Sequence, residues 1–596
     1  MRKELLLLGA FGMLTTATLC AQEFHLQPTP QEYITQKDSV DIPRQYQILS
    51  GNSVQDGPAL PLLRSLMPEE VLGASFRVYI GVKGDKIIKK YQHRIPRKSE
   101  GYFLKIEKDC IVIAGADERG AYYGVQTLAQ LLALDKLPLA EVTDYPDVPY
   151  RGVVEGFYGA PWSQEARIRQ LDFYGRNKMN VYIYGPKDDP YHRTPNWRKP
   201  YPAREGEELK VLVNRAKENN VIFYWAIHPG QDIRWNEEDR SLLLQKFESM
   251  YQLGVRGFAV FFDDISGEGT KADKQAELLN YIDDHFVKVK RDVAPLILCP
   301  TEYNKSWTDV EGGYLTTLGD KLNEGIKVMW TGDMVVATID KSTLDFVNPL
   351  LKRKAYIWWN FPVSDYVQDH LLLGPVYGNG LDIKDDMSAF VSNPMEHAEA
   401  SKISLYSVAD YTWNMENYDS ETSWKHAVRD LMPLHAEYLE IFAAHNSDPG
   451  QNGHRFRREE SVAIQPALSA LLKAYQEKSE IDEDAYRQVA EECRKIIVAA
   501  DGLLASGNEN RPLITEIRPW LIQFKQVGEY GAEVLNMIRL RQQKDAFIGS
   551  YEHARALLVL MGETDAQYKA GIKSGSLHLM PTFNALFEAA TTGSTR

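Results

Sequence analysis

Residues 257–269, Gly-Phe-Ala-Val-Phe-Phe-Asp-Asp-Ile-Ser-Gly-Glu-Gly, join an apolar run to two adjacent aspartates and a glycine-rich turn. The run predicts a buried strand, where an unpaired carboxylate is costly or acquires a shifted pKa. In a parallel barrel, catalytic groups lie at the carboxyl ends of the strands. We therefore take Asp263 and Asp264 as candidate catalytic residues. The alternative, an N-cap for a helix beginning near Lys271, explains one aspartate but not two.

The sequence around this stretch repeats a strand followed by a helix. Helical patterns such as 163–177 and 207–219 separate eight short apolar runs between residues 148 and 435. The predicted strands are 151–158, 180–185, 221–228, 257–263, 295–301, 327–331, 355–360 and 402–409. This alternation predicts an α/β fold with a (β/α)8 (TIM) barrel. A doubly wound open sheet is the alternative, and it is disfavoured because no Gly-x-Gly-x-x-Gly sequence follows the first strand.

Two further domains are predicted on either side of the barrel. Residues 22–147 predict a small N-terminal α/β domain, with a hairpin over 102–113 and a helix capped by Asp117. Residues 436–590 carry apolar stripes at helical spacing and predict a helical bundle. We expect the polar tail, residues 591–596, to be disordered.

The amino terminus has the pattern of a secretory signal peptide over residues 1–21. Two basic residues precede an apolar stretch that is too short to span a membrane, and Ala21 suits cleavage. Cys20 raises a lipoprotein alternative, but Leu19 before it matches that signal poorly. We expect an exported protein, periplasmic or secreted. The oligomeric state cannot be read from the sequence.

Charge and cysteine content exclude several classes of protein. The 596 residues carry a formal net charge of −14, which disfavours nucleic acid and anionic membrane as partners. The mature chain would keep Cys110, Cys299 and Cys493, an odd and scattered set without the spacing of a disulfide framework or a zinc site. We expect no cofactor.

Polar and aromatic residues follow nearly every predicted strand. They lie in 155–159, 185–189, 228–232, 302–304, 331–333 and 358–365, and Asn393 precedes the predicted eighth strand, which leads on to Tyr411 and Trp413. In a parallel barrel these segments converge on one face. Aromatic rings that stack on a pyranose, with amides and carboxylates that bind its hydroxyls, favour a sugar-binding pocket.

Several of these residues also have a simpler interpretation. Lys187 and the two aspartates after it could form only a surface ion pair, worth a few tenths of a kcal/mol. His228 with Asp232 could suggest a metal site, but a lone histidine on a strand is more often a core residue, and no spacing typical of metal ligands is present. Trp359 is more readily explained as core.

Six segments of the barrel resemble the signature segments of glycoside hydrolase family 84. They are 151–159 (RGVVEGFYG), 182–191 (YIYGPKDDPY), 226–230 (AIHPG), 261–265 (FFDDI), 358–365 (WWNFPVSD) and 392–395 (SNPM). This family comprises retaining β-N-acetylglucosaminidases, among them O-GlcNAcases and enzymes once called hyaluronidases. The resemblance covers the barrel and both flanking domains, and it is greatest to secreted enzymes of Bacteroides-type bacteria.

The resemblance implies an exo-acting hydrolase that removes terminal β-linked GlcNAc from glycans or glycoproteins. Asp263 would accept a hydrogen bond from the substrate's acetamido N–H and stabilise an oxazoline intermediate, and Asp264 would act as general acid and then as general base. The other implied sugar contacts are the Gly156 carbonyl, Lys187, Asn360, Asp365 and Asn393, with Tyr303 orienting the acetamido group and Trp358, Tyr158 and Thr331 walling its pocket. An endo-acting hexosaminidase is the first alternative, and a non-catalytic glycan-binding protein the second.

Adjacency itself argues for substrate-assisted catalysis. Ordinary retaining glycosidases place two carboxyl groups roughly 5–5.5 Å apart across the scissile bond, and sequence neighbours are poorly placed for opposite sides of a sugar. Two close carboxylates also resist double ionisation, so we expect the pKa of one of them to rise.

Overall fold

The computed structural model describes residues 25–67, 69–477 and 480–592. The predicted signal peptide, including Cys20, lies outside these described residues. The described chain forms an N-terminal sheet domain, a closed barrel and a helical region, so the predicted fold class is confirmed. No helix in the described ranges is long and apolar enough to cross a bilayer.

The N-terminal domain is a mixed sheet with helices packed on it. Its elements are β1 (Glu32–Val40), β2 (Gln47–Ser50), α1 (Ala59–Leu66), β3 (Arg77–Val82), β4 (Tyr102–Ile106), β5 (Cys110–Gly115), α2 (Glu118–Leu132) and β6 (Leu137–Asp144). The strand order is β1-β6-β4-β5-β3-β2. The predicted hairpin is the antiparallel pair β4 and β5, and Asp117 caps α2 by accepting a hydrogen bond from the Gly120 amide.

Eight parallel strands close the barrel. They are β7 (Arg151–Glu155), β8 (Val181–Tyr184), β9 (Ile222–Ile227), β10 (Gly257–Phe261), β11 (Ile297–Cys299), β12 (Lys327–Trp330), β13 (Ala355–Trp359) and β14 (Met387–Ser392). The helices around it are α3 (Gln164–Arg176), α4 (Ala203–Glu218), α5 (Glu237–Gln252), α6 (Ala272–Ile282), α7 (Tyr314–Lys321), α8 (Lys341–Leu351) and α9 (Ala398–Trp413). Seven of the eight predicted strands are found within a few residues of their predicted bounds.

The prediction of the eighth strand was wrong. β14 pairs with β13 on one side and β7 on the other, and residues 402–409, predicted as that strand, belong to helix α9. Every residue of α9 is buried. Its sequence therefore lacks the polar face by which a surface helix is recognised, and its apolar run imitates a buried strand.

This correction moves three residues that had been placed at strand ends. Asn393 directly follows the eighth strand instead of preceding it. Tyr411 and Trp413 lie at the end of α9, and neither lines the pocket described below. Trp413 instead packs into the core of the N-terminal domain.

Seven α-helices follow the barrel in the described part of the chain, which ends at residue 592. They are α10 (Ser420–Leu431), α11 (Ala436–Ala444), α12 (Gln465–Gln476), α13 (Glu483–Ala505), α14 (Arg511–Gln542), α15 (Ile548–Ala566) and α16 (Leu579–Thr592). Their apolar stripes are buried in a core continuous with the outer layer of the barrel. Helix α16 includes the first two residues of the predicted disordered tail, and the other four lie outside the described residues.

A buried polar network connects the N-terminal domain to the barrel. We call it the domain joint, and it comprises Tyr102, Asp144, Lys178 and Trp413. Lys178 Nζ lies 3.0 Å from Asp144 Oδ2, the Tyr102 hydroxyl donates to the same oxygen at 2.6 Å, and Trp413 Nε1 donates to Oδ1 at 2.8 Å. No member exposes more than 1% of its surface. The joint is therefore a fully buried ion pair whose remaining hydrogen-bonding capacity is largely filled.

Candidate active site

The adjacent aspartates lie at the carboxyl-terminal face of the barrel. β10 ends at Phe261, and the next amide, that of Phe262, donates to the Cys299 carbonyl on the neighbouring strand at 2.9 Å. Asp263 is buried, whereas Asp264 is exposed and has a left-handed backbone with φ 53°. Because the backbone turns sharply here, the two carboxylates contact different neighbours.

The surroundings of Asp263 favour its ionised form. Lys187 Nζ donates to Asp263 Oδ2 at 3.1 Å, and His228 Nε2 lies 2.8 Å from the Asp263 carbonyl oxygen and 3.4 Å from Oδ1. Burial raises the pKa of Asp263, but the Lys187 ammonium and His228 outweigh burial, so the pKa lies below its ordinary value. The expected rise in pKa therefore does not fall on Asp263. Its Oδ1 is buried and accepts no hydrogen bond from the described residues, so it can accept one from a ligand.

Two tyrosines hold the carboxylate of Asp264. The Tyr303 hydroxyl donates to Oδ1 at 2.8 Å, and the Tyr158 hydroxyl donates to Oδ2 at 3.0 Å. Burial and the neighbouring Asp264 raise the pKa of Tyr303, so its hydroxyl stays protonated and keeps donating. Lys187 lies over the Tyr158 ring at 4.9 Å from its centroid, which links the two halves of the site.

A cavity of about 230 Å³ opens beside the pair. The structure brings all the predicted site residues to its wall, which includes Gly156, Tyr158, Lys187, Asp263, Asp264, Tyr303, Thr331, Trp358, Asn360, Asp365 and Asn393. Their convergence is a finding of the structure. The roles assigned to them stay predictions.

Amide groups and one indole form a connected wall of this cavity. Asn393 Nδ2 donates to Asn360 Oδ1 at 3.0 Å, and Trp358 Nε1 donates to the same oxygen at 2.8 Å. The Gly156 amide donates to Asn393 Oδ1 at 3.3 Å. A Cβ at Gly156 would lie 2.5 Å from the Trp358 ring, so only glycine lets the backbone approach this closely. The polar groups of the wall are thus held by hydrogen bonds within the protein itself.

Asp365 supplies a further carboxylate. The Tyr158 amide donates to its Oδ2 at 2.9 Å. Burial raises the pKa of Asp365 above its ordinary value.

Thr331 lies on the side of the cavity predicted to hold the acetamido group. Its hydroxyl donates to the Met334 carbonyl at 3.0 Å, which leaves its methyl group for an apolar contact. The cavity thus combines carboxylates, amides and aromatic rings, the set expected for a sugar.

Two of the alternative interpretations, the helix N-cap and the surface ion pair, are not supported. Helix α6 has Lys271 as its N-cap, so neither aspartate caps it. Lys187 pairs with Asp263 across the pocket instead of forming only a surface ion pair with its sequence neighbours. His228 contacts Asp263, whereas Asp232 pairs with Arg198 at 2.7 Å. Among the described residues no group of histidine, cysteine and acidic side chains could hold a metal ion.

Seven further lining residues were not predicted as site residues: the valines at 335, 336 and 363, and four that carry polar or aromatic groups. Cys299 ends β11, and Trp307 lies in a short 3-10 helix with its ring 4.9 Å from that of Tyr303. His454 and Tyr366 meet edge to face at 4.9 Å, and His454 comes from the segment between α11 and α12. Cys299 lies near the end of a predicted strand and Tyr366 directly follows the 358–365 segment, so both could have been predicted from their positions. No local pattern in the sequence indicates His454. Trp359 is fully buried, as predicted for core.

The chain matches three family models in succession. The beta-N-acetylglucosaminidase model matches residues 151–444, the model of the bacterial GH84 post-catalytic domain matches 460–587, and that of domain 2 of glycosyl hydrolase family 20 matches 23–145. A solved structure described as CpGH84B is 32% identical, with a TM-score of 0.87 over 95% of this chain and 100% of that one. The chain belongs to glycoside hydrolase family 84. Its assignment to the β-N-acetylglucosaminidase class follows from the same matches.

Other members of this family resemble parts or all of the chain. CpGH84D is 28% identical, with a TM-score of 0.86 over 96% of this chain and 99% of that structure. Protein O-GlcNAcase of Rattus norvegicus is 35% identical over 276 residues, which are 45% of this chain and 30% of the rat protein. The match with the rat protein thus spans less than a third of that protein's length.

Proposed function

We propose that this family 84 enzyme is a retaining exo-β-N-acetylglucosaminidase that removes terminal β-linked GlcNAc from glycans or glycoproteins by substrate-assisted catalysis. One observation carries the proposal. Asp263 and Asp264 face a single cavity from adjacent positions, with Asp263 charged and one of its oxygens able to accept a further hydrogen bond. A carboxylate in that state suits an amide N–H better than it suits attack on a sugar carbon.

The division of roles follows from the contacts. The substrate's acetamido N–H donates to Asp263, and its carbonyl oxygen attacks the anomeric carbon as the bond to the leaving oxygen breaks. Asp264 gives its proton to the leaving oxygen, and the acetamido group closes on the anomeric carbon as an oxazolinium ring whose N–H proton stays hydrogen-bonded to the Asp263 carboxylate or passes to it, which gives the oxazoline. Asp264 then takes a proton from water, which opens the oxazoline with overall retention. The two tyrosine hydroxyls keep Asp264 in place for both steps.

The size of the cavity supports exo action. Its volume of about 230 Å³ lies below the roughly 300–1,000 Å³ of pockets that hold drug-sized ligands, so it suits a single sugar residue. Product analysis on defined GlcNAc-terminated glycans and on hyaluronan tests this. Release of GlcNAc one unit at a time is expected, and shortened hyaluronan chains without free GlcNAc would favour the endo alternative.

Two variants compared on two substrate types test the roles. Asp264→Asn should lower turnover of unactivated glycosides by about 10²–10⁴-fold, because the leaving oxygen then receives no proton. The same variant should largely spare the glycosylation step of activated aryl glycosides, whose leaving groups need no acid. Asp263→Asn should damage both substrates. Equal losses in the two variants on both substrates would refute the assignment, and no turnover of any aryl N-acetyl-β-glucosaminide by the wild type would favour a glycan-binding protein.

We also propose that the enzyme is exported and that residues 1–21 are removed. Residues 1–21 have the composition of a signal peptide, and an exported bacterial enzyme would meet mucin or other host glycans. Mass spectrometry of the mature amino terminus tests it. A chain that begins at Gln22 is expected, a lipid-modified Cys20 would show anchoring, and an intact Met1 would contradict export.

A further inference from the structure

A second large cavity lies at the opposite end of the barrel. Its volume is about 700 Å³, and its wall joins the N-terminal domain to the starts of the barrel strands. Lys327 is the first residue of β12 and Met387 the first of β14, and both line it. It shares no lining residue with the active-site pocket. Any ligand here would therefore bind apart from the catalytic pair.

Cationic side chains dominate the wall of this cavity. The wall contains five cationic side chains, Lys98, Arg119, Lys327, Lys354 and Lys384, and three carboxylates, Glu100, Asp147 and Asp385. The formal net charge of the whole chain is −14, so a local excess of positive charge runs against the average surface. Such a cavity attracts anions.

Two of the three carboxylates in this wall, Glu100 and Asp147, are already engaged. Glu100 pairs with Arg119 at 3.2 Å and with the buried Arg151 at 2.7 Å. Asp147 is shared between Lys98 at 3.8 Å and Lys384 at 3.6 Å. These pairs account for three of the five cations in the wall, Lys98, Arg119 and Lys384. The two lysines near the starts of barrel strands are not paired in this way.

Lys327 and Lys354 have no ion-pair partner among the residues that the structure describes. Burial lowers the pKa of Lys327, and the neighbouring Arg353 and Lys354 lower it further. Arg353 does not offset them, because its guanidinium donates to backbone carbonyls, including those of Leu322 and Ile326. Lys327 and Lys354 therefore repel each other at the wall of the cavity, with the Arg353 charge near them, an arrangement that an anionic ligand would relieve.

The uncharged part of the wall suits a sugar ring. Tyr150, Ser99 and Ser388 line the cavity together with Asn180. The Tyr150 ring lies 6.4 Å from that of Tyr356, whose buried hydroxyl has no hydrogen-bond partner in the described chain. The Asn180 amide is already bonded to Glu100 and to the Pro149 carbonyl, so the Tyr150 ring and the two serine hydroxyls are the groups that a saccharide would contact. The volume falls within the roughly 300–1,000 Å³ of small-ligand pockets.

We propose that this cavity binds an anionic saccharide of one or two units, with Lys327 and Lys354 contacting its carboxylate or sulfate and Tyr150 contacting a ring. The site is separate from hydrolysis and would hold an acidic part of a glycan while the pocket at the other end acts on another chain. It goes beyond the proposed function, because binding here requires no turnover.

Calorimetry on the full chain tests the site with three probes: a sulfated disaccharide, its unsulfated parent and inorganic sulfate. The sulfated disaccharide should bind saturably and more weakly as salt rises, and both other probes should bind at least about tenfold more weakly. The double variant Lys327→Ala/Lys354→Ala should lose about tenfold or more in affinity for the sulfated probe, since two charged contacts are removed. Hydrolysis of an aryl glycoside should be unchanged.

A matched control removes the same charge elsewhere. Lys210→Ala/Lys217→Ala changes two exposed lysines on α4 and should leave binding within about twofold, because exposed distant charges are screened. Lys354→Glu changes an exposed position without disturbing the core, and because it reverses a charge it should also lose about tenfold or more in affinity. Absence of saturable binding, equal losses in both double variants, or equal affinity for sulfate and the sulfated sugar would each overturn the proposal. None of these outcomes depends on catalysis, so they are distinct from failure of the proposed activity.

Discussion

The domain joint and the active-site pocket each bury an aspartate beside a lysine, and they complete the pair in opposite ways. In the joint, Lys178, Tyr102 and Trp413 all donate to Asp144, and both carboxylate oxygens are engaged. In the pocket, Lys187 donates to Asp263 Oδ2, and Oδ1 accepts no hydrogen bond from the described residues.

This difference separates a structural charge from a functional one. A buried pair with every acceptor filled gains nothing from a ligand, and it tolerates no loss of a partner. A buried carboxylate with one oxygen unfilled is less favourable in the free protein, and a ligand N–H can satisfy it. The first arrangement favours a fixed contact between domains, and the second favours a binding site.

The largest effect expected from this comparison is on stability. Asp144→Ala should lower the free energy of unfolding by about 3–5 kcal/mol, because it leaves the Lys178 charge buried without its partner. Chemical denaturation followed by circular dichroism measures it. The activity of the molecules that remain folded should match wild type, since the joint lies outside the pocket.

Asp292→Ala is the control for the joint. Asp292 pairs with Arg256 at 2.7 Å on the surface, with 55% and 39% of the two side chains exposed. Its loss should cost about 0–1 kcal/mol. Similar losses in the two variants would show that burial does not make the ion pair of the joint more important to stability than a surface pair.

The next effect concerns the charge of Asp263. Lys187→Met removes a charged hydrogen bond that contributes about 1.5–3 kcal/mol, so kcat/KM near neutral pH should fall by about 10–150-fold. The ammonium holds the pKa of Asp263 below its ordinary value, against burial. Without it the pKa rises, and the acid limb of the kcat/KM profile should move to higher pH. The pH profile on an aryl glycoside measures the shift.

Lys187→Arg separates charge from geometry. It retains the positive charge but replaces a compact ammonium by a planar guanidinium. The acid limb should therefore return toward its wild-type position even where kcat/KM stays low. An acid limb that does not move in Lys187→Met would mean that Asp263 is not the group held ionised by this lysine.

The fold was largely predictable because most strands of the barrel can be recognised from their own short stretch of sequence. Strands buried on both faces give short apolar runs, and the intervening helices have one polar face, as in α4. The prediction of the eighth strand was wrong because helix α9 is buried all round and shows no polar face. The true strand β14 follows a long irregular segment after β13, where the strand-helix rhythm is broken.

The pocket was predictable for a related reason, and only in part. Residues at strand ends converge whatever the details of the loops, so Asp263, Lys187 and Asn360 could be placed together in advance. His454 could not, because it comes from the region after α11 and reaches the pocket through the packing of that region on the barrel. The hydrogen bonds of Asp264 to two tyrosines also depend on side-chain directions that sequence does not report.

The smallest effect expected is at one of those tyrosines. Tyr303→Phe removes the shorter of the two hydroxyl contacts to Asp264, 2.8 Å against 3.0 Å, and leaves the ring in place. In the proposed mechanism Asp264 enters the first step as the protonated acid, so this contact is a neutral hydrogen bond of about 0.5–1.5 kcal/mol, and kcat/KM should fall by about 2–12-fold. Because the hydroxyl acts through Asp264, the loss should be larger on substrates with poor leaving groups. A series of aryl glycosides with graded leaving groups measures the slope.

Tyr158→Phe is the matched variant on the other oxygen of the same carboxylate. If both hydroxyls serve only to hold Asp264, the two variants should steepen the dependence on leaving group alike, and the double variant should exceed the product of the single losses, since a single remaining hydroxyl still fixes the carboxylate. Losses that are independent of the leaving group would place Tyr303 in contact with the substrate instead. In that case the pocket would offer a ligand two groups that the joint does not: the Tyr303 hydroxyl as a donor and Asp263 Oδ1 as an acceptor.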